Sequence, residues 1–161
     1  MSYAKSTIVR SLARRVAIAL AVAALGGGCT SVHITTPPGF AELDSAAGYR
    51  YRASNAEGVV LAVRREKNDP QGDLSFWSGA IDAQLRRAGY SAVEAHDVEA
   101  SGLKGKQIRY LIVREGRDHA YWINVFVTKK SVVTVEAGGD KDLFAHEEDA
   151  IKKAIATLDV G

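Results

Sequence analysis

A chain of 161 residues, 47% of them hydrophobic, is long enough for one domain with a sizeable core. Its formal charge is +2, but residues 1–28 hold four of the basic residues (Lys5, Arg10, Arg14 and Arg15) and no acidic one, so the rest carries 17 basic against 19 acidic. That balance argues against a nucleic-acid partner, which calls for a strongly positive surface, and the single cysteine excludes an intrachain disulfide.

The first element in chain order is an apolar run from Val16 to Leu25, preceded by the four cations and followed by Gly26-Gly27-Gly28-Cys29. A basic start, a short apolar run and small residues before a break have the form of a secretory signal. The run is too short to cross a hydrocarbon layer, which takes about 20 residues. The stretch resembles the signal of a bacterial lipoprotein, whose cysteine receives a diacylglyceryl group and becomes the mature N-terminus. Those signals usually carry Leu three residues before the cysteine; here Gly26 holds that position and Leu25 stands one step further away. The resemblance implies a signal peptide over residues 1–28 and a covalent lipid, with acyl chains such as palmitate, on Cys29. Thr30 in place of a retention Asp further implies delivery to the outer membrane, facing the periplasm. The alternative is ordinary cleavage near the glycines, leaving a soluble protein with one free thiol.

Residues 29–38, with Pro37-Pro38 and several hydroxyl and β-branched residues, read as an extended tether, and residues 39–161 as a single α/β domain. Phe40 to Asp44, Tyr49 to Arg52 and Val59 to Val63 read as early strands. Asp73 is placed to cap a helix running to about Ala88, with Phe76, Trp77, Ala80, Ile81 and Leu85 on its apolar face and Gly89 after its end. Tyr90 to Ala95 resumes strand character, and His96 to Lys106 is loop-like at Gly102 and Gly105. Gln107 to Val113, His119 to Thr128 and Ser131 to Ala137 then read as an antiparallel meander. In its middle strand Tyr121, Ile123, Val125 and Val127 point one way and Trp122 and Phe126 the other, so each face of the sheet needs a cover. A last helix, capped by Asp140 or Asp142 and running to about Leu158, supplies the second cover. The expected fold class is α+β: an antiparallel sheet flanked by two amphipathic helices, an α/β/α sandwich.

The order of early strands, helix, meander and C-terminal helix, with the patch Tyr121-Trp122-Ile123-Asn124-Val125-Phe126-Val127, is similar to the PsbP-like fold. That fold is shared by a photosystem II subunit, a Ran-binding nuclear import factor and bacterial DcrB-type lipoproteins. The resemblance implies a binding or assembly role in place of catalysis.

The residues themselves offer little chemistry. His146-Glu147-Glu148-Asp149-Ala150 begins like a zinc-protease helix, yet Ala150 stands where the second histidine belongs. No Gly-x-Ser-x-Gly elbow or phosphate-binding loop is present. The expectation is therefore no metal and no cofactor beyond the lipid on Cys29. The partners expected are the membrane, through that lipid, and another envelope protein or component. The rival readings are a small periplasmic hydrolase and a carrier of an apolar ligand. For a protein contact the stretch Glu99 to Gln107 stands out: Gly102 and Gly105 loosen the backbone, Lys104 and Lys106 add charge, and Leu103 is apolar among polar neighbours. The competing structural role for Leu103 is to tuck beneath the loop and close the core.

Overall fold

The computed structural model describes residues 31–44 and 46–161, so the signal-like run and Cys29 lie outside the described residues. Nine strands and two helices occur among the residues described: β1 (Val32–His33), β2 (Ala41–Glu42), β3 (Tyr51–Ser54), β4 (Val60–Lys67), α1 (Leu74–Arg87), β5 (Ser91–Ala100), β6 (Leu103–Arg114), β7 (Arg117–Val127), β8 (Ser131–Asp140), α2 (Lys141–Ala156) and β9 (Asp159–Val160). Seven of the strands form one sheet in the order β2-β3-β4-β8-β7-β6-β5, antiparallel at every pairing. A mostly antiparallel sheet with two helices places the domain in the α+β class.

Alternation along the central strands divides the apolar residues into two clusters. Trp122 and Phe126 of β7 join Leu61, Val63, Val133 and Val135, and the residues Phe144, Ile151, Ala154 and Ile155 of α2 pack with them. Ile123 and Val125 of β7 join Ile108, Tyr110 and Val132, against which Leu74, Trp77, Ile81 and Leu85 of α1 pack. The helices form where their caps and stripes dictate. The Asp73 side chain accepts from Phe76 N at 2.8 Å, and Asp140 accepts from Asp142 N at 3.2 Å. Gly89 follows α1 at φ +93°, a conformation that only glycine adopts freely.

Three stretches differ from the sequence reading. First, His96 to Lys106 is not a loop: β5 and β6 form a long hairpin closed by Ser101 and Gly102, at φ 47° and 81°, the two left-handed residues a two-residue turn requires. Gly105 serves close approach in place of freedom, since a Cβ there would stand 2.5 Å from the Phe126 ring. Second, β8 runs through Gly138 and Gly139 to Asp140. A Cβ on Gly138 would lie 3.0 Å from Ala120 O, and one on Gly139 3.1 Å from Val59 Cγ2, so these glycines let neighbouring backbone close in on the strand. Third, Phe76 leaves the apolar stripe of α1; it is 50% exposed and meets Trp77 edge-on at 5.3 Å.

Residues 31–38 do not stand away from the domain. Val32 pairs with Val160 and His33 with Asp159, Thr35 N donates to Thr157 Oγ1 at 2.9 Å, and Pro37 is buried. Val32 and Ile34 pack on the α2-side cluster, so the apolar residues of this stretch are part of the core's cover.

Candidate functional site

Leu103, Lys104 and Lys106 stand on one strand, whose period puts Lys104 and Lys106 on one face and Leu103 on the other. Leu103 is half-buried against the α2-side cluster. Lys104 is exposed, and Lys106 is half-buried with its Nζ 3.4 Å from Asp97 Oδ1. The stretch thus presents no single patch of all three side chains.

The structure draws attention to α1 and the strand beside it, where Lys106, alone of these three, takes part. On α1, Ser75, Ser78, Gly79 and Asp82 fall at the spacing of one helical face. Across from them stand Ala92 and Ala95 of β5, above Ile108 of β6. With small residues facing each other at Ser75, Ser78, Gly79, Ala92 and Ala95, helix and strand leave between them a groove of about 750 Å³, whose lining also includes the charged Arg86, Asp97 and Lys106. The fastener at its side is polar: Tyr110 Oη donates to Asp82 Oδ1 at 2.8 Å, and Arg86 Nε donates to both oxygens of Asp82 at 3.0 and 2.9 Å. Burial, reinforced by the Asp82 carboxylate, pushes the Tyr110 phenol well above its ordinary value. At the mouth the β5–β6 register shifts between Ala92 and Glu94, and Val93 in this bulge is 59% exposed. β5 ends the sheet, with no strand on its outer side among the described residues.

A second groove of about 390 Å³ runs along the other flank of α1, between Trp77, Ile81 and Leu85 and the sheet residues Tyr121, Ile123 and Val132. At its rim Arg64 Nε donates to Glu136 Oε1 at 2.8 Å, and the Arg64 guanidinium sits 3.9 Å from the centre of the Tyr49 ring. The Tyr121 phenol, raised by burial and then by Glu136, stays protonated there.

On the α2 side of the sheet a polar chain leads from the surface to the core. Arg109 Nη1 donates to Glu94 Oε2 at 2.8 Å, Arg109 Nε to Gln107 Oε1 at 2.7 Å, Gln107 Nε2 to Asn124 Oδ1 at 2.7 Å, and Asn124 Nδ2 to Val135 O at 3.1 Å. Gln107 and Asn124 are buried, and the amide oxygen and nitrogen of each have a partner, as burial of polar atoms requires. A hollow of about 190 Å³ beside this chain is lined by His96, Val98, Arg109, Lys152 and Ile155. Among the described residues no group of three or more His, Cys, Asp or Glu side chains is placed to hold a metal ion, and no helix is long and apolar enough to cross a membrane.

No protein-family model matches the chain, and no curated protein sequence matches it. Solved structures do. LpqN of Mycobacterium tuberculosis, a protein involved in cell envelope biogenesis, superposes with a TM-score of 0.68 at 12% identity, over 83% of this chain and 87% of that one. The cyanobacterial PsbP of Synechocystis gives 0.55 at 12% identity over 84% and 96%. A Pseudomonas aeruginosa protein of unknown function, a putative regulator, gives 0.50 at 20% identity over 82% and 84%. At such identities the shared property is the fold, which this chain has in common with these structures, cyanobacterial PsbP among them.

Proposed function

We propose that the chain is a lipid-anchored accessory protein of the bacterial cell envelope, attached through Cys29 and binding another envelope protein or component in the groove between α1 and β5. In this reading the sheet and its two helices form an α/β/α sandwich that serves as a rigid frame, and the outer membrane, on its periplasmic side, is the site of action. The observation that carries the binding role is the groove itself: about 750 Å³, floored by small and apolar side chains, edged by Arg86, Asp97 and Lys106, and open beside an exposed valine. Support for the envelope comes from the apolar run Val16 to Leu25 that precedes Cys29 and from the likeness to LpqN, which is involved in cell envelope biogenesis. No cofactor other than the covalent lipid enters this reading.

Fractionation of cells expressing the wild-type chain or Cys29→Ala tests the attachment. Acyl chains contribute about 0.8 kcal/mol for each buried methylene, so the wild type pellets with membranes and the variant moves to the soluble fraction. A Cys29→Ala chain of mature length that still pellets contradicts the anchor.

A further inference from the structure

We propose that the end of the sheet carrying Lys67, Lys129 and Lys130 rests directly on the headgroups of the membrane that holds the Cys29 lipid, with the groove running away from it toward Val93. The proposal rests on Cys29 being the attachment point and adds the orientation of the domain.

The length of free chain sets the distance. Residues 31–38, which read as a tether in the sequence, are bound to the domain: β1 pairs with β9, Thr35 N donates to Thr157 Oγ1, and Pro37 is buried. Gly161 N donates to Ser31 O at 3.1 Å, and Arg65 Nη1 and Nη2 both donate to Gly161 O at 3.4 Å, so Ser31 is fastened beside the end of β4. Only Thr30 separates Ser31 from Cys29, and two residue steps span at most about 7 Å. A lipid on Cys29 therefore leaves the folded surface within about 7 Å of Ser31, and the surface around Ser31 faces the headgroups.

The side chains at that end suit such a contact. Lys67, the last residue of β4, stands opposite Ser131, and Asn68 N donates to Lys130 O at 3.0 Å, which sets the loop after β4 beside the turn between β7 and β8. Lys67, Lys129 and Lys130 are exposed, and none of the three has an ion-pair partner among the described residues. The Phe76 ring, half exposed, lies over Gly72 of the same loop. Lysines reach lipid phosphates from such a position, and an aromatic ring settles at headgroup depth. Glu66, Asp69 and Asp73 are exposed at this end on the side of α1, so net attraction to the membrane is weak and the short attachment is what holds the surface there. The opposite end stands clear, since β7 has eleven residues and a length on the order of 35 Å. Val93 follows Ala92, which is level with Tyr110 and Tyr121, and so stands roughly 20 Å from the membrane end.

The lipidated chain is reconstituted in vesicles of phosphatidylethanolamine and phosphatidylglycerol whose headgroups carry a nitroxide quencher. A fluorescent amino acid replaces Lys130 or, near the turn between β6 and β7, Val113. In chains that float with the vesicles, position 130 is expected to be quenched at least about threefold more than position 113, which stands roughly 30 Å further along the sheet. A spacer of about twenty Gly and Ser residues between Thr30 and Ser31, with a mean span of roughly 25 Å, is expected to bring quenching at 130 down to the level at 113. A probe at Lys129 repeats the reading should the replacement at 130 disturb the turn, and the melting midpoint of each chain shows that it folds. Equal quenching at the two ends, none at 129 or 130, or quenching that the spacer leaves unchanged overturns the proposal. A chain that does not float with the vesicles fails the anchor instead. The chain starting at Cys29, its sole thiol coupled to a maleimide lipid, then gives the same readings, so the orientation is decided in either case.

Discussion

Trp77 Nε1 donates a 2.7 Å hydrogen bond to Asn68 Oδ1, and this contact ties the start of α1 to the loop before it. The same oxygen accepts from Gly72 N at 2.9 Å, while Asn68 Nδ2 donates to Gly72 O and to Thr128 O, both at 3.0 Å. One side chain thus joins the loop, the helix that walls both grooves and the end of β7. Asn68→Ala leaves these partners without their bonds and is expected to lose about 1–3 kcal/mol in a denaturant titration. A loss within experimental error would mean that water replaces the amide at no cost.

The two tryptophans are expected to differ. Trp122 is buried, meets Phe144 edge-on at 4.9 Å and carries the Arg109 guanidinium 4.1 Å from its ring centre. Trp122→Ala is therefore expected to lose about 3–5 kcal/mol, the range for large aromatic truncations in a core. Trp77 is half-buried, and Trp77→Ala is expected to lose less in the same titration. Equal losses would contradict the difference in burial.

A chain starting at residue 38 is expected to be less stable than one starting at residue 31. It loses β1, the Thr35–Thr157 hydrogen bond, and the packing of Val32 and Ile34. With partial burial of two aliphatic side chains the loss is about 2–4 kcal/mol, read as a lower denaturant midpoint at unchanged slope. Identical midpoints would show that residues 31–37 act as a tether only.

Tyr110 and Tyr121 give an alkaline limit to stability. Both phenols are raised above the ordinary value of 10.0, chiefly by burial and secondarily by the carboxylates of Asp82 and Glu136. Above pH 10 the unfolded chain loses these protons and the native chain keeps them, so stability is fully present below that pH and falls as pH rises further. Denaturation measured from pH 8 to pH 11 should show the decline, and Tyr121→Phe should make it shallower. An equal slope in the variant would remove Tyr121 from the account.

Much of the frame was legible in the sequence. The alternation of Tyr121, Ile123 and Val125 with Trp122 and Phe126 is a local period, and Asp73 and the pair Asp140 and Asp142, of which Asp140 is the cap, lie next to the stripes they start, so β7, α1 and α2 could be read directly. What was not legible depends on residues distant in sequence. Gly105 has the look of a loop glycine until Phe126 is brought against it. Ser75, Ser78 and Gly79 become a groove wall only when Ala92 and Ala95 arrive opposite them; the available signal was their shared helical face, away from Trp77 and Ile81. Residues 31–38 form part of the domain through partners distant in sequence: β9 pairs with β1, Thr157 accepts from Thr35 N, and the α2-side cluster packs against Val32 and Ile34.

The most direct test of the account places a photoreactive phenylalanine analogue at Val93 or at Val113 in cells making the full chain. The two positions are 59% and 67% exposed, but only Val93 borders the groove between α1 and β5, whereas Val113 lies near the β6–β7 turn. Irradiation is predicted to join position 93, and not position 113, to a component of the envelope fraction, with the adduct lost when Gly79→Leu fills the groove. Adducts of equal yield at both positions, or none at position 93, would contradict the assignment of this groove as the binding site.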